Sequence, residues 1–256
     1  MSSKHLLIER KDKIATLVLN RPEVMNAMST EMTEQMYDAM MQLRSDEDTR
    51  VVVIKGSGEH FCSGADVNLF NESTPSFDWL NGMKKVGQIV RTIREIPQPV
   101  VTMLRGVAVG GGANLALASD FIVAADDARF CEIFVNIGLI VDYGGHYFLP
   151  RLVGLAKARE LAMLGNEISG KTAASIGLVY KSVPDQDLEQ EVEALANNLA
   201  QKPRLALALI KEGLEKSLDR SLKEVLDWEA AHQSIALQTP DHKEIIRQFL
   251  KSKGKK

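Results

Sequence analysis

Four stretches of this 256-residue chain carry residue types that could do chemistry. GNEISGKT (residues 165–172) fits the pattern G-x-x-x-x-G-K-[ST], whose backbone N–H groups and lysine cradle phosphates in nucleotide-hydrolysing enzymes. GVAVGGGANLALASD (residues 106–120) sets Gly110, Gly111 and Gly112 between an apolar run and an Ala/Leu-rich segment. Glycines that open a helix leave bare N–H groups at its positive end, a place that stabilises negative charge. FCSGADVN (residues 61–68) offers a second bare N–H at the Gly64-Ala65 turn. If it faces the first, the two form an oxyanion hole for a carbonyl developing into an enolate. GLIVDYGG (residues 138–145) places Asp142 between an apolar run and two glycines, where an apolar cleft would raise a carboxyl pKa towards neutrality and suit it to moving protons.

The elements around each stretch decide among these chemistries. A phosphate loop needs a buried strand entering it and a helix leaving it. The residues before Gly165 are AKARELAML, a helix by propensity, so the entry strand is missing. Gly165 reads as the C-cap of that helix and Ser169 as the N-cap of the next. The nucleotide reading requires affinity that depends on Lys171 and magnesium, and the context speaks against it.

Elsewhere the pattern is α/β. Leu6–Arg10 and Ile14–Leu19 flank the turn Lys11-Asp12-Lys13 as a hairpin. Ser29 precedes a helix with Met32, Met36, Met40 and Leu43 on its core face. VVVIKG (51–56), PVVTMLRG (99–106) and DFIVAAD (120–126) are apolar runs expected of strands covered on both faces. A helix with Leu80, Met83, Val86, Val90 and Ile93 on one side lies between the first two and breaks at Pro97 and Pro99. After about residue 185 the strands stop, and segments 187–200, 204–217, 221–237 and 241–251 read as helices.

Composition excludes other classes. The formal charge of −3 comes from interspersed residues, 31 basic and 34 acidic, without a footprint for nucleic acid. The basic tail KSKGKK could meet a phosphate-bearing ligand or be solvated. Cys62 and Cys131 lack zinc or disulfide-framework spacing, which fits a reducing cytoplasm, and neither a targeting segment nor a membrane span is read. No metal or redox cofactor is implied.

NRPEVMNAM, VVVIKG, SGAD, the triple glycine, GNEISG and GLVYKSV occur in the order found in the crotonase superfamily, the enoyl-CoA hydratase/isomerase family, and nearly the whole chain resembles it. The resemblance implies an α/β crotonase-type spiral of repeated β-β-α units (1–190) and a C-terminal helical trimerisation region (191–256), assembled as a homotrimer or dimer of trimers. It implies an acyl-CoA thioester substrate, coenzyme A being part of that substrate, with the oxyanion donors on Ala65 and Gly111. Val24 after Arg21-Pro22, the Gly64-Ala65-Asp66-Val67 loop, and Phe249 and Lys251 from a neighbouring subunit are assigned by resemblance to the coenzyme A site. Asn114, Phe134, Leu139 and Tyr143 are assigned to the substrate pocket, and segment 71–87, with Phe77 and Trp79, to its cover.

Hydratases of the family use two glutamates, and here their positions hold Asn114 and Phe134. Asp142 stands where the family's isomerases and its dehalogenase carry their acid, and GLIVDYGGHYFLPRLVG is most similar to the ring-epoxide isomerase branch, whose members also shift double bonds in aliphatic enoyl-CoAs. The expected activity is therefore double-bond isomerisation with Asp142 as proton shuttle. Rival readings are hydration with a second acid such as Glu132, nucleophilic hydrolysis or dehalogenation by Asp142, and coenzyme A binding without catalysis. Glu132 lies two residues short of the family's second acid, in a strand whose alternation leaves its direction open, and a lone His146 in an aromatic segment reads as structural.

Overall fold

A computed structural model describes residues 4–70 and 75–253. Residues 71–74 of the segment assigned to cover the substrate, and 254–256 of the basic tail, lie outside the described residues. The chain forms two compact units, Met1–Ala200 and Gln201–Lys256.

In the first unit, β1 (Leu6–Lys11) and β2 (Ile14–Leu19) pair antiparallel, with Lys11 opposite Ile14, so the turn is only Asp12-Lys13 and Asp12 takes a positive φ of 53°. Ser29 caps α1 (Thr30–Arg44) by accepting from Met32 N, and Met32, Met36, Met40 and Leu43 are all buried. Truncating any one to alanine costs about 2–5 kcal/mol in a core of this kind. β3 (Val51–Gly56) lies parallel to β2, and its four apolar residues are buried, as the continuous run requires. In α2 (Ser76–Glu95) the stripe is covered only from Val86 to Ile93, whereas Leu80 and Met83 are exposed.

The chain then repeats a motif. β4 (Val100–Leu104) joins the large sheet, Gly106 turns with φ 57°, β5 (Val107–Val109) starts a small second sheet, and α3 (Gly111–Leu117) follows. Next come β6 (Phe121–Ala125) in the large sheet, β7 (Arg129–Cys131) in the small one, and α4 (Gly145–Leu164), kinked at Gly154. An isolated parallel bridge between Cys62 and Ala108 lays the loop after β3 beside β5, and another joins Met28 to Ala65. Each turn of the spiral thus contributes to both sheets before a helix returns the chain. β8 (Glu167–Ser169), α5 (Gly170–Ser175) and β9 (Lys181–Val183) close the unit. The large sheet is ordered β1-β2-β3-β4-β6-β9 and the small one β5-β7-β8.

The boundary between units differs from the expected residue 190. α6 (Leu188–Ala200) lies across β2, β3, β4 and β6 and buries Leu188, Val192, Ala196 and Leu199, so it belongs to the first unit. The second unit holds α7 (Arg204–Ser217), α8 (Leu222–Ala236) and α9 (Pro240–Lys253). A capping box between Ser221 and Glu224 starts α8, and Trp228 lies against Gly213 of α7.

Candidate active site

The phosphate-loop pattern does not form a phosphate loop. Helix α4 leads into it, Gly165 ends that helix at φ 61°, and Ser169 accepts from Thr172 N to cap α5. Lys171 is exposed on α5.

The Gly64-Ala65 turn and the triple glycine do come together. Met28 N donates to Gly64 O, and a trans peptide points its N–H opposite its carbonyl, so the Ala65 N–H is directed away from Met28. Asn114 N donates to Gly110 O along α3, so by the same planarity the Gly111 N–H points out of the helix start. A Cβ added to Gly64, whose φ is +96°, would lie 2.9 Å from Val109 O and 3.7 Å from Gly111 N. Two unencumbered peptide donors therefore sit on neighbouring loops. Tyr143 packs its ring against Gly111, where an added Cβ would lie 2.9 Å from Tyr143 Cε2, so only glycine leaves room for that ring. Phe134, buried, lies with its ring against Gly110.

Asp142 occupies the turn before α4. Gly145 N donates to Asp142 O across Tyr143 and Gly144, both at positive φ (49° and 84°). Two successive left-handed residues are usual for Asn-Gly, and a tyrosine there is the kind of strained residue that gathers at functional sites. The Asp142 carboxyl is partly buried, and burial pushes it up to about 6.

The larger difference concerns Glu132. It follows β7, is 1% exposed, and accepts a hydrogen bond from Asn114 Nδ2 to Oε2 at 3.1 Å. Burial raises its carboxyl to about 8, Asn114 opposes this, and the Asp142 charge adds to it. The sequence signal was weak: alternation puts Glu132 on the side of Phe130, but β7 is only three residues long and Cys131 between them is buried too. Asn114 is fully buried and also adjoins Gly145, so α3, the end of β7 and the Asp142 turn meet around its amide. An ionisable carboxyl and two backbone donors can together form and collapse an enolate.

The remaining assigned residues lie partly in the first unit and partly in the second. Val24 and Val67 are exposed on the loops flanking the Ala65 turn, and Leu139 is exposed beyond Phe134. Trp79 stacks on Phe70 at 5.6 Å, while Phe77 is exposed. Asp66 points into the protein: Oδ2 takes Arg21 Nη1 at 2.7 Å and Oδ1 takes the N–H groups of Asn68. Its carboxylate is thus committed to holding the Ala65 loop to the Arg21 segment, and Arg21 also donates to Ala27 O. Phe249 and Lys251 lie on α9 in the second unit, and His146 is exposed on the first turn of α4.

Asp66→Ala is expected to destabilise the protein by on the order of 3 kcal/mol, because it strips a cap and leaves Arg21 unpaired with little solvent. The Asn68 N–H and Arg21 hold the Asp66 carboxyl below its usual range. Its contribution is therefore present above about pH 4 and lost as pH falls through the lowered folded value, so melting curves of variant and wild type should converge in acid.

The model of the family described as enoyl-CoA hydratase/isomerase matches residues 9–255. The 1,2-epoxyphenylacetyl-CoA isomerase of Escherichia coli (strain K12) is 36% identical over 240 residues, covering 93% of this chain and 92% of that protein. The crotonyl-CoA hydratase of Syntrophomonas wolfei is 32% identical over 258 residues, covering 99% and 97%. The crystal structure of an enoyl-CoA hydratase from Mycobacterium smegmatis superposes with a TM-score of 0.93 at 29% identity, covering 98% and 97%.

Proposed function

The chain belongs to the enoyl-CoA hydratase/isomerase family, and within it we propose an acyl-CoA isomerase that shifts a carbon-carbon double bond. In this reading the thioester oxygen lies between the N–H groups of Ala65 and Gly111. The Asp142 carboxylate takes a proton from the α or γ carbon, the double-bond electrons move, and negative charge collects on the thioester oxygen. The same carboxyl returns the proton to the other carbon, which restores the carboxylate and leaves the double bond displaced.

The observation that carries this reading is the Asp142 carboxyl itself, poised at about 6 on a strained turn whose Tyr143 ring touches Gly111. A base with that pKa is ionised at neutral pH and strong enough to take an activated carbon proton. Asn114 and Phe134, at the positions of the hydratases' glutamates, can do neither job. The name of the Escherichia coli relative, an epoxyphenylacetyl-CoA isomerase, supports the isomerase branch. Hydration is the second reading, favoured by one observation, the inward-facing Glu132, which supplies a second carboxyl beside Asp142. The proposal includes a homotrimer or dimer of trimers, with Phe249 and Lys251 completing the coenzyme A site of a neighbour, in the cytoplasm. Among the described residues no helix is long and apolar enough to cross a membrane.

The test is deuterium exchange at the α and γ carbons of 3-enoyl-, 2-enoyl- and phenylacetyl-type CoA esters, followed by mass spectrometry. Exchange with double-bond migration is expected on at least one ester. Its rate should fall tenfold per pH unit below about 6, as Asp142 protonates. Water addition without migration would replace isomerisation by hydration, and exchange on no ester would remove the catalytic reading.

A further inference from the structure

Three buried side-chain oxygens of the site have no hydrogen-bond partner: Asn114 Oδ1, Glu132 Oε1 and Asp142 Oδ1. With both carboxyls ionised, all three are acceptors. An unpaired buried acceptor is costly, and more so when charged. A proton on Glu132 changes the inventory, because a carboxylic acid is a donor as well as an acceptor. Asn114, hydrogen-bonded to Glu132, and Asp142, whose charge acts on it, each carry one of the unpaired acceptors.

We propose that Glu132 is a proton-bearing positioning residue, a neutral carboxylic acid behind Asp142 whose O–H is the donor that the Asn114–Glu132–Asp142 cluster otherwise lacks. This rests on the isomerase reading of the same site. Burial separates the two carboxyls by role: Glu132 is 1% exposed, whereas Asp142 is partly open on the side where substrate must approach. Asn114 holds Glu132 Oε2 at 3.1 Å and adjoins Gly145, at the end of the Asp142 turn, so the amide ties the acid to the base's loop.

The groups facing this cluster agree. Asp142 and buried Tyr143 come from the turn before α4, Asn114 from α3, and the Cys131 thiol from β7, where its charge state is coupled to Glu132. Burial and Asp142 push Glu132 up to about 8, and Asn114 alone opposes them. While Glu132 stays neutral, Asp142 can ionise near 6. Once Glu132 ionises, a second buried anion stands beside the base while an enolate is forming, and catalysis should fall.

Two measurements test this. In the pH profile of kcat/KM for exchange, wild type is expected to show an acid limb near 6 and an alkaline limb near 8. Glu132→Gln should keep the acid limb, lose the alkaline one, and stay within about tenfold of wild type at neutral pH. An unchanged alkaline limb overturns the proposal. A loss of about a thousandfold at every pH also overturns it, because Glu132 would then be transferring the reacting proton. The second measurement needs no variant and no turnover: carbon-13 spectra of wild type labelled at the glutamate carboxyl carbon. One glutamate neutral at pH 7 and titrating near 8 is expected; a full set of ionised glutamates at pH 7 overturns the proposal even if the variant does not fold. Wild type that exchanges no ester would instead defeat the isomerase reading and leave the carbon-13 result to decide the protonation of Glu132.

Discussion

Asp142→Asn is expected to lower kcat for proton exchange and double-bond migration by about 10³-fold or more, with KM nearly unchanged. The amide keeps the shape of the side chain, so the Tyr143-Gly144 turn and the Gly111 contact should survive. It cannot accept a proton from carbon, so the interaction lost belongs to the transition state rather than to binding. Loss of activity through unfolding predicts the opposite thermal behaviour from the one expected. Burial pushes the folded Asp142 carboxyl up to about 6, above the ordinary aspartate value, because it disfavours the charged form. That raised value means the stability associated with the protonated form is full below about pH 4 and lost as pH rises through about 6. At pH 7 wild type therefore carries a penalty on the order of 2 kcal/mol that asparagine lacks, and the variant should melt higher, the gap closing near pH 4. Inactive and more stable is the expected pair. Exchange surviving within tenfold would transfer the base to another group, Glu132 first. A covalent acyl or aryl adduct trapped on wild type and absent from Asp142→Asn would make Asp142 a nucleophile instead.

What could be read from the chain was local. Ser29 and Ser169 each cap a helix, and Gly165 ends one in the left-handed region. Such signals lie within four residues of the backbone they serve, so residue order alone carries them. For the same reason the phosphate-loop pattern could be set aside, since its failure was visible in the helix that precedes it. The segment expected as a helix over 204–217 coincides with α7. The glycine loops were legible as donors but not as neighbours, because their approach is made by the Cys62–Ala108 and Met28–Ala65 bridges, long-range pairings without a local signature.

Other features are likewise non-local. Arg21 and Asp66 are 45 positions apart, and the ion pair that turns Asp66 inward exists only once the two loops lie side by side. Glu132 looked undirected because a three-residue strand offers little alternation, and its partner Asn114 lies 18 positions away on another element. The unit boundary moved to Ala200 because α6 has the polarity of a surface helix on one side and a sheet-covering face on the other, and only the sheet reveals which unit it covers.

Gly64→Ala should lower kcat by about 10²–10³-fold. Two effects combine. At φ +96° an alanine is strained, and its Cβ would lie 2.9 Å from Val109 O, a backbone atom that cannot swing aside. Relief requires the Ala65 turn to move off the 107–111 segment, the motion that parts the Ala65 and Gly111 N–H groups. A donor pair built for one oxygen weakens steeply when it opens, and the loss falls on the oxyanion rather than on the ground-state thioester. Strain alone is controlled by Gly177→Ala, at φ +78° with its nearest neighbour 3.8 Å away, which should cost stability on the order of 1 kcal/mol and leave kcat intact. Two further measurements on Gly64→Ala separate geometry from collapse. Binding of a non-reactive acyl-CoA should weaken by less than about tenfold, because the acyl chain and coenzyme A contacts persist. The acid limb of the remaining exchange should stay near 6, because Asp142 and its turn belong to a different loop. A variant that exchanges at the wild-type rate would show that the Ala65 N–H does not bind the oxyanion, and the second donor would have to be sought elsewhere along the 61–66 loop.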